Sequence, residues 1–423
     1  MKQSQALAIL LSGESALLTG PAGAGKTYVL SQFIKQARAA GKYVSVTATT
    51  GLAATHLGGT TIHSWSGIGI HEYLPAGFEE RFSKARREII KKTDVLIIDE
   101  ISMLHDYRLD LVDQVCRTIR EDMSRPFGGI QVVMSGDFFQ LPPINHRDSR
   151  EGGFVVNSRA WQELDPVICY LEEQHRQDDE ALLGILNAVR AGSVSADHIE
   201  TLVSRSEVHP EEIEEVTEIY TVNLDVDALN EARLKKIDED ELAYERAERG
   251  PKGHLETLGR SVLAPATLRL KRGALVMAVK NSQDKKYANG SIGTVVDFEP
   301  DTEYPIVKFR NGKEVLMIPD TWELRDGDET RASISQIPLR LAWAITVHKS
   351  QGMTLDSARI NLAKAFVEGM GYVALSRVKN ISSLYLTGLN EMALRVSEEA
   401  QSIDAYLREK SAADSIKFKE IKI

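Results

Sequence analysis

The run ALLTGPAGAGKTYVL, residues 16–30, carries the strongest structural signal in this 423-residue chain. A short apolar segment leads into Gly20, and GPAGAGKT (20–27) then has the spacing G-x-x-x-x-G-K-T of a phosphate-binding loop. In such a loop the glycines let backbone N–H groups approach phosphate oxygens, and the helix that follows adds positive potential at its N-terminus. The spacing therefore predicts a strand, a nucleotide-binding loop and a helix, in that order.

Three further apolar runs in the first third of the chain predict a parallel α/β sheet. They are YVSVTA (43–48), VLIIDE (95–100) and IQVVMSGD (130–137), and helix-like stretches separate them. Each predicted strand ends in a polar or glycine-rich cluster: 20–27, 47–51, 99–100 and 136–140. Because ligands of open α/β sheets bind beyond the carboxyl ends of the strands, we expect these four clusters to converge.

The side chains in these clusters suit ATP and Mg²⁺. Lys26 would reach the β- and γ-phosphates, and Thr27 would ligate Mg²⁺ together with Asp99. Glu100 would orient or deprotonate the attacking water, and Gln140 would sense the γ-phosphate. The loop glycines that would approach the phosphates are Gly20, Gly23 and Gly25.

Composition excludes several other classes of protein. The hydrophobic fraction of 43% fits a globular enzyme, and Cys116 and Cys169 give neither a disulfide framework nor a metal-binding spacing. These two cysteines make a reducing cytoplasm the expected location. No apolar run approaches the ~20 residues needed to cross a bilayer, so we expect no membrane partner. The net charge is −10, but residues 176–250 alone carry 20 acidic and 8 basic residues. Seven basic residues between 260 and 286 fit a phosphate-facing surface and a solvated face equally well.

The second half of the chain predicts another sheet and an insertion. LRLAWAITVHKSQGMTLD (339–356) predicts one buried strand that ends in a polar turn at 346–352. Residues 273–322 alternate apolar and polar residues between Asn-Gly turns, which is typical of a small antiparallel barrel.

Seven blocks, in chain order, resemble the helicase motifs of the Pif family, the RecD-related 5′-to-3′ branch of superfamily 1. The blocks are GPAGAGKT, TATTGLAATHLGGTTIHSWSGIG, VLIIDEISML, GGIQVVMSGDFFQLPPI, EEQHRQDD, LRLAWAITVHKSQGMTLD and GYVALSRV. The resemblance implies an α/β fold with two RecA-like P-loop NTPase domains and a small inserted, Src-homology-like β-barrel. The implied boundaries are 1–173 for the first domain, with a short wedge-like insertion at about 63–90, 174–263 and 336–423 for the second, and 264–335 for the barrel.

The resemblance also assigns further nucleotide contacts. Arg176 and Arg377 are similar to the arginines that the second RecA-like domain points at the γ-phosphate. Gln3 is similar to the glutamine that reads adenine, since its spacing to Gly20 fits better than that of Gln5. Gln351 would reach toward the nucleotide. Met370 stands where many relatives have glutamine, which argues against a polar nucleotide contact at that position.

Candidate DNA contacts lie at strand and loop ends. Hydroxyl and imidazole groups there suit phosphates and sugars, and the candidates are Thr47, Thr49, Thr50, His63, Ser64, Thr346, His348 and Ser350, with Asn223 added by the resemblance. Trp65 could stack on a base or could be a buried tryptophan that covers the loop.

These expectations describe an ATP- and Mg²⁺-dependent helicase. The resemblance implies a monomeric motor that travels 5′-to-3′ on single-stranded DNA, opens single-strand/duplex junctions and works on the nucleoid of a bacterial-like cell. An alternative is a DNA-stimulated ATPase that remodels protein–DNA complexes without productive unwinding. A nucleotide switch without nucleic acid would have no use for the arginines of the second domain or for the threonine-rich loops.

Overall fold

The structure is a computed structural model of the whole chain. It describes residues 1–69, 72–75, 77–143, 145, 150–172, 179–207, 216–220, 226–259, 262–282, 284, 286–287, 289–326, 329–350, 354–355, 357–419 and 421. The chain forms two compact units. Unit 1 comprises Met1–Arg176, Leu324–Arg331 and Glu398–Ile423, and unit 2 comprises Gln177–Glu323 and Ala332–Ser397.

Unit 1 is an α/β body. Its helices are α1 (Gln3–Leu11), α2 (Lys26–Ala39), α3 (Gly51–His56), α4 (Ile62–Ser66), α5 (Lys84–Lys92), α6 (Asp106–Arg120), α7 (Arg159–Leu164) and a C-terminal helix (Glu398–Lys417). Its strands are β1 (Ala16–Thr19), β2 (Val44–Ala48), β3 (Thr60–Thr61), β4 (Val95–Asp99), β5 (Gln131–Gly136) and β6 (Val167–Tyr170). The four strands predicted from the sequence are therefore β1, β2, β4 and β5.

The sheet of unit 1 has the strand order β3-β2-β4-β5-β1-β6, and every pairing is parallel. The near-continuous apolar strands are buried because helices cover both faces, as a parallel sheet requires. One core cluster includes Leu17, Ile98 and Met134 with α6, and the other includes Leu18, Ile97 and Val133 with α1 and α2. Since β2, β4, β5 and β1 are consecutive neighbours, their carboxyl ends share one edge, as predicted.

Unit 2 contains the other α-helices and most of the other strands. Its helices are α8 (Glu180–Arg190), α9 (Ala196–Ser204), α10 (Val226–Lys235), α11 (Lys252–Gly259), α12 (Val347–Ser350) and α13 (Met370–Leu375). Its strands are β7 (Thr217–Tyr220), β8 (Leu242–Glu245), β9 (Ala247–Arg249), β10 (Thr267–Leu270), β11 (Leu275–Ala278), β12 (Ile292–Phe298), β13 (Pro305–Phe309), β14 (Glu314–Leu316), β17 (Leu339–Leu341), β18 (Ala344–Thr346), β19 (Ala358–Leu362) and β20 (Leu384–Leu389). Two further strands, β15 (Asp320–Asp326) and β16 (Glu329–Gln336), are divided between the units, because Leu324–Arg331 belongs to unit 1.

A second parallel sheet, β18-β7-β19-β20, forms the α/β part of unit 2. An antiparallel sheet, β14-β13-β12-β11-β17, accounts for the alternating pattern and Asn-Gly turns of residues 273–322. Its core contains Val276, Val295 and Phe309. This sheet extends to Leu341, beyond the predicted end of the insertion at residue 335.

The prediction of a single strand in LRLAWAIT was wrong. Leu339–Leu341 pairs with β11 in the antiparallel sheet, whereas Ala344–Thr346 pairs in parallel with β7. The break falls at Ala342, whose N–H is donated to the carbonyl of Leu275, and Trp343, whose carbonyl accepts from Glu218. An apolar run buried throughout cannot reveal from its pattern that its two halves belong to different sheets.

The end of the chain also differs from expectation. The sequence assigned residues 336–423 to the second RecA-like domain, but Glu398–Ile423 belongs to unit 1. Ile403 and Leu407 of the C-terminal helix pack in the same core cluster as Trp161 and Tyr170. Among the described residues, no helix is both long and apolar enough to cross a membrane.

Candidate nucleotide site and nucleic-acid contacts

The phosphate loop has backbone angles that only glycine adopts easily. Gly20, Gly23 and Gly25 have φ values of 141°, 85° and 86°. A Cβ on Gly20 would lie 2.4 Å from the carbonyl oxygen of Leu171, and one on Gly25 would lie 2.2 Å from Nε2 of Gln3. These two glycines therefore satisfy both a conformational and a packing requirement.

Lys26 begins α2 and turns back across the loop. Its Nζ donates to the carbonyl oxygens of Gly20 at 2.8 Å and Pro21 at 3.0 Å. Thr27 follows in the first turn of the helix and is exposed. Nucleotide phosphates would compete with these two carbonyls for the ammonium, and the phosphate-binding role of Lys26 stays a prediction.

Asp99 and Glu100 end β4 in distinct environments. Burial raises the pKa of Asp99, opposed by hydrogen bonds from the backbone of Glu100 and the side chain of Ser135 and by the charge of Lys26. Glu100 has φ 53°, a left-handed conformation that is uncommon for a residue with a side chain. Strain of this kind concentrates at functional positions, where surrounding contacts hold it in place.

The donor set beside the phosphate loop fits Mg²⁺. Thr27 offers a hydroxyl and Asp99 a carboxylate, and such hard oxygen ligands, completed by phosphate oxygens and water, are those that Mg²⁺ prefers. The described residues contain no cluster of three or more histidine, cysteine or carboxylate groups that could hold a metal without a nucleotide.

Gln140 lies in a turn that Asp137 organises. The backbone N–H of Gln140 donates to the carbonyl of Asp137 at 3.0 Å, and that of Phe139 donates to the Asp137 carboxylate at 3.2 Å. Both Asp137 and Gln140 are buried. The turn follows β5 directly, so Gln140 is at the same sheet edge as Asp99 and the phosphate loop.

The two glutamines of α1 have different partners. Gln3 donates from Nε2 to the carbonyl of Ala24 in the phosphate loop at 3.1 Å. Gln5 instead contacts Ser415 of the C-terminal helix through both atoms of its amide. The geometry therefore favours Gln3 as the residue beside a bound nucleotide.

Arg377 is 1% exposed within unit 2. Its guanidinium donates to the carbonyls of Val373 at 2.8 Å and Ser350 at 3.1 Å and to the hydroxyl of Ser376 at 2.7 Å. In this arrangement it holds its own unit together, and a γ-phosphate contact would require it to leave these groups. Arg176 and Gln351 lie outside the described residues.

Not all the threonines predicted to contact DNA are available to it. Thr47 is fully buried and donates its hydroxyl to the carbonyl of Ile97 at 2.5 Å, so its assignment as a DNA contact was wrong. Thr49 donates to the carbonyl of Glu100 at 2.9 Å and so supports the strained residue. Thr50 is half-buried, and its hydroxyl accepts from the N–H of Ala53.

His63 and Ser64 are half-buried on α4. Burial, followed by the charges of Arg108 and His105, lowers the pKa of His63 to about 4. The imidazole is therefore neutral at pH 7 and can both donate and accept a hydrogen bond. This form suits a sugar or base contact better than a phosphate ion pair.

Trp65 follows the second of its two predicted alternatives. It is 7% exposed and packs in the core cluster with Ile62 and Phe78, which leaves no open face for a base. Its indole Nε1 has no hydrogen-bond partner among the described residues.

Both described candidates of the second polar turn, Thr346 and Ser350, are buried. Ser350 is fully buried and donates its hydroxyl to the carbonyl of Val347 at 2.7 Å, so the prediction of a DNA contact there was wrong. Thr346 is 6% exposed at the end of β18. Asn223 and the side chain of His348 lie outside the described residues.

Three residues with clear structural roles, two in unit 1 and one in unit 2, had not been identified from the sequence. Ser135 hydrogen-bonds Asp99, Asp137 organises the turn of Gln140, and Gly371 allows α13 to pack closely on Ala393. The role of Asp137 could have been predicted, because Gly-Asp after a strand favours a turn in which the carboxylate accepts a backbone N–H. A buried serine within a strand carries no such signal.

A glycine loop between a parallel strand and a helix, with a lysine and an acidic pair at one sheet edge, defines a P-loop nucleotide-hydrolysing protein. The family model described as PIF1-like helicase matches residues 3–192. The ATP-dependent DNA helicase Pif1 of Psychrobacter sp. is 39% identical to this chain over an alignment 484 residues long. The alignment covers 100% of this chain and 73% of that protein.

Solved structures agree with this match. Bacteroides sp. Pif1 in complex with ADP-AlF4 is 31% identical with a TM-score of 0.82, and 96% of each chain is covered. Bacteroides Pif1 bound to ssDNA is 32% identical with a TM-score of 0.69, and 98% of each chain is covered. The chain belongs to the Pif1 family of superfamily 1 and is an ATP-dependent DNA helicase.

Proposed function

We propose that this helicase hydrolyses ATP–Mg²⁺ to move 5′-to-3′ along single-stranded DNA and to separate duplex at single-strand/duplex junctions. The observation that carries the ATP-driven part is the convergence of Lys26, Asp99, Glu100 and Gln140 at one edge of the unit 1 sheet. The direction of travel is an inference from the family motifs.

Each residue at this edge receives a role from its chemistry. Lys26 neutralises phosphate charge, while Thr27 and Asp99 would hold Mg²⁺, which would withdraw charge from the phosphate oxygens when bound. Glu100 would orient or deprotonate water, aided by the hydrogen bond between Thr49 and its carbonyl. Gln140 would align the water with the γ-phosphate.

We further assign γ-phosphate contacts to Arg176 and to Arg377 of the second RecA-like domain. A guanidinium delivered there would stabilise the charge that grows on the equatorial oxygens in the transition state. Arg377 must first exchange the carbonyls of Val373 and Ser350 for phosphate oxygens. Exchange of this kind would link hydrolysis to a rearrangement of the segment that ends at Ser350.

We assign DNA contacts to Thr50, His63 and Ser64, with Asn223 and His348 as further candidates. The motor would work as a single copy on the nucleoid of a bacterial-like cell. One solved structure of this family is described as two coordinating Pif1 helicases at forked dsDNA, so the number of copies at a junction needs its own measurement. The small inserted barrel is proposed for the antiparallel part of unit 2.

Unwinding of two otherwise identical duplexes, one with a 5′ single-stranded tail and one with a 3′ tail, tests the direction. We expect strand separation only with the 5′ tail and only with both ATP and Mg²⁺. Equal or preferential unwinding of the 3′-tailed duplex would contradict the proposed polarity. Repeating the assay over a range of protein concentrations at fixed DNA tests the single-copy model, which requires a rate that is first order in protein.

A further inference from the structure

The C-terminal helix covers the open edge of the unit 1 sheet. β6 is the last strand of that sheet, and side chains rather than another strand occupy two of its N–H groups. The N–H of Ile168 donates to the carboxylate of Asp414 at 2.8 Å, and that of Tyr170 donates to the hydroxyl of Ser411 at 3.1 Å. The phenol of Tyr170 also donates to Asp404 at 2.8 Å.

This edge is connected directly to the phosphate loop. β6 pairs with β1, and the N–H of Leu171 donates to the carbonyl of Thr19 at 2.8 Å. The carbonyl of Leu171 then lies against the Cα of Gly20, where no Cβ would fit. The C-terminal helix therefore supports the first glycine of the loop through one intervening strand.

The same helix also holds α1. Nε2 of Gln5 donates to the carbonyl of Ser415 at 2.8 Å, and the hydroxyl of Ser415 donates to Oε1 of Gln5 at 3.0 Å. Phe418, just beyond the helix, is 8% exposed and belongs to the core cluster that contains Ile9 and Leu10 of α1. A paired amide and an apolar contact therefore fix α1 against the C-terminal helix.

Gln3 lies two residues before Gln5 at the start of α1 and reaches the phosphate loop at the carbonyl of Ala24. A displacement of the first turn of α1 would move this amide relative to the loop. Among the described residues the Gln3 amide makes one hydrogen bond, to Ala24, and also lies against Gly25, so its position along the loop depends on the backbone that carries it. That backbone is held at Gln5 and, two residues before Gln3, at the terminal ammonium of Met1, which donates to the carbonyl of Tyr170 at 2.8 Å.

We propose that Gln5 and Ser415 are positioning residues for nucleotide binding: the C-terminal helix fixes α1 and thereby holds Gln3 where it distinguishes adenine from other bases. This inference rests on the proposed role of Gln3. It predicts a selective effect on nucleotide recognition, because the side-chain hydrogen bonds that Gln5 and Ser415 make in the described part of the chain join them to each other and not to the loop.

ATP and GTP hydrolysis by the full chain, measured at saturating oligo(dT), tests the inference. We expect Gln5→Ala to raise KM for ATP about three- to tenfold, the scale of one lost hydrogen-bonded pair, with kcat changed by less than about twofold. The preference for ATP over GTP should fall, because only the adenine contact is loosened. Ser415→Ala should act in the same direction but more weakly, since the carbonyl at 415 still accepts from Gln5.

Matched variants separate positioning from general stability. Ser415→Thr keeps the hydroxyl and should retain the normal KM. Ser402→Ala removes an exposed hydroxyl of the same helix that donates only to the carbonyl of Glu398, and it should change nothing. The Gln5→Ala/Ser415→Ala double variant should have the same KM for ATP as Gln5→Ala alone, because both substitutions act on the same hydrogen-bonded pair.

Gln3→Ala distinguishes failure of this inference from failure of the proposed adenine contact. If Gln3→Ala lowers ATP preference and Gln5→Ala leaves both KM and preference unchanged, the positioning role is wrong and the adenine contact stands. If Gln3→Ala keeps full ATP preference, the adenine contact is wrong, and with it the proposed basis of selection. A parallel fall of kcat and melting temperature in Gln5→Ala, with unchanged ATP preference, would also overturn the inference.

Discussion

Glu100 and Thr49 illustrate how a strained residue is held at the site. Glu100 has φ 53°, and the hydroxyl of Thr49 binds its carbonyl while the N–H of Thr49 binds the carbonyl of Asp99. The threonine-rich segment that follows β2 is thus attached to the acidic pair by two hydrogen bonds. Any ligand that shifts Thr49 would also shift the carboxylate that is proposed to orient water.

Replacement of Lys26 tests the phosphate loop. Lys26→Ala should abolish ATP turnover, because the ammonium that serves the phosphates is lost, while affinity for single-stranded DNA should stay within a few-fold. Steady-state ATPase and fluorescence anisotropy measure the two quantities. Lys35→Ala, an exposed lysine later in the same helix, is the matched control and should keep both. Surviving turnover in Lys26→Ala would contradict the assignment.

His63 predicts a loss of stability in mild acid. Its pKa is lowered to about 4 in the folded protein, whereas an unfolded histidine titrates near 6.5. Between these pH values the unfolded chain binds more protons, so stability is full above about pH 6.5 and falls as the pH drops toward 4. The shift corresponds to at most about 3 kcal/mol. Urea unfolding between pH 7.5 and 4.5 should show that the free energy of unfolding falls less steeply with decreasing pH in His63→Gln than in the unmodified protein. An equal pH dependence in the two proteins would contradict the prediction.

At the scale of elements, α13 depends on one close backbone contact. A Cβ on Gly371 would lie 1.9 Å from the carbonyl oxygen of Ala393, in the 3-10 helix Glu391–Leu394 that packs against α13. A backbone atom cannot move aside as a flexible side chain can. This contact sets the position of the helix that leads into Ser376 and Arg377.

Gly371→Ala should therefore destabilise the protein by about 1–3 kcal/mol or more through overpacking. Gly253→Ala in α11 is the matched control, since nothing lies within 4 Å of its Cβ position, and it should be neutral or slightly stabilising. Chemical denaturation of both variants measures the difference. Equal stability of the two would show that α13 can shift without cost.

The elements of unit 1 could be predicted well from sequence, and some of their contacts could not. Each of the four predicted strands is present because an apolar run flanked by polar turns has few other structures available in a parallel sheet. The hydrogen-bond partners of Thr47 and Ser350 could not be predicted, because a hydroxyl at a strand or helix end can donate either to a ligand or to a neighbouring carbonyl. The division of LRLAWAIT between two sheets depends on pairings with distant strands, which no local pattern encodes.

At the scale of the whole molecule, the charge distribution shapes DNA binding. The net charge is −10, so the chain as a whole repels DNA, and attraction must come from local basic groups. We expect fluorescence anisotropy at increasing NaCl to show log Kd for oligo(dT) rising linearly with log[NaCl]. The slope should be about 2–4, as roughly three to six phosphate contacts would give. A slope near zero would mean that stacking and neutral hydrogen bonds carry the affinity instead.

The helix that caps β6 has a consequence for synthesis on the ribosome. Ile168 and Asp414 are 246 residues apart in the chain, and Tyr170 and Ser411 are 241 apart. At about 5–20 residues per second, the strand would wait on the order of 10–50 s for its partners to be translated. During that interval its N–H groups form an unprotected edge of the kind that pairs with other chains. The nascent protein should therefore be most prone to aggregate, and most dependent on chaperones, just before its final helix is made.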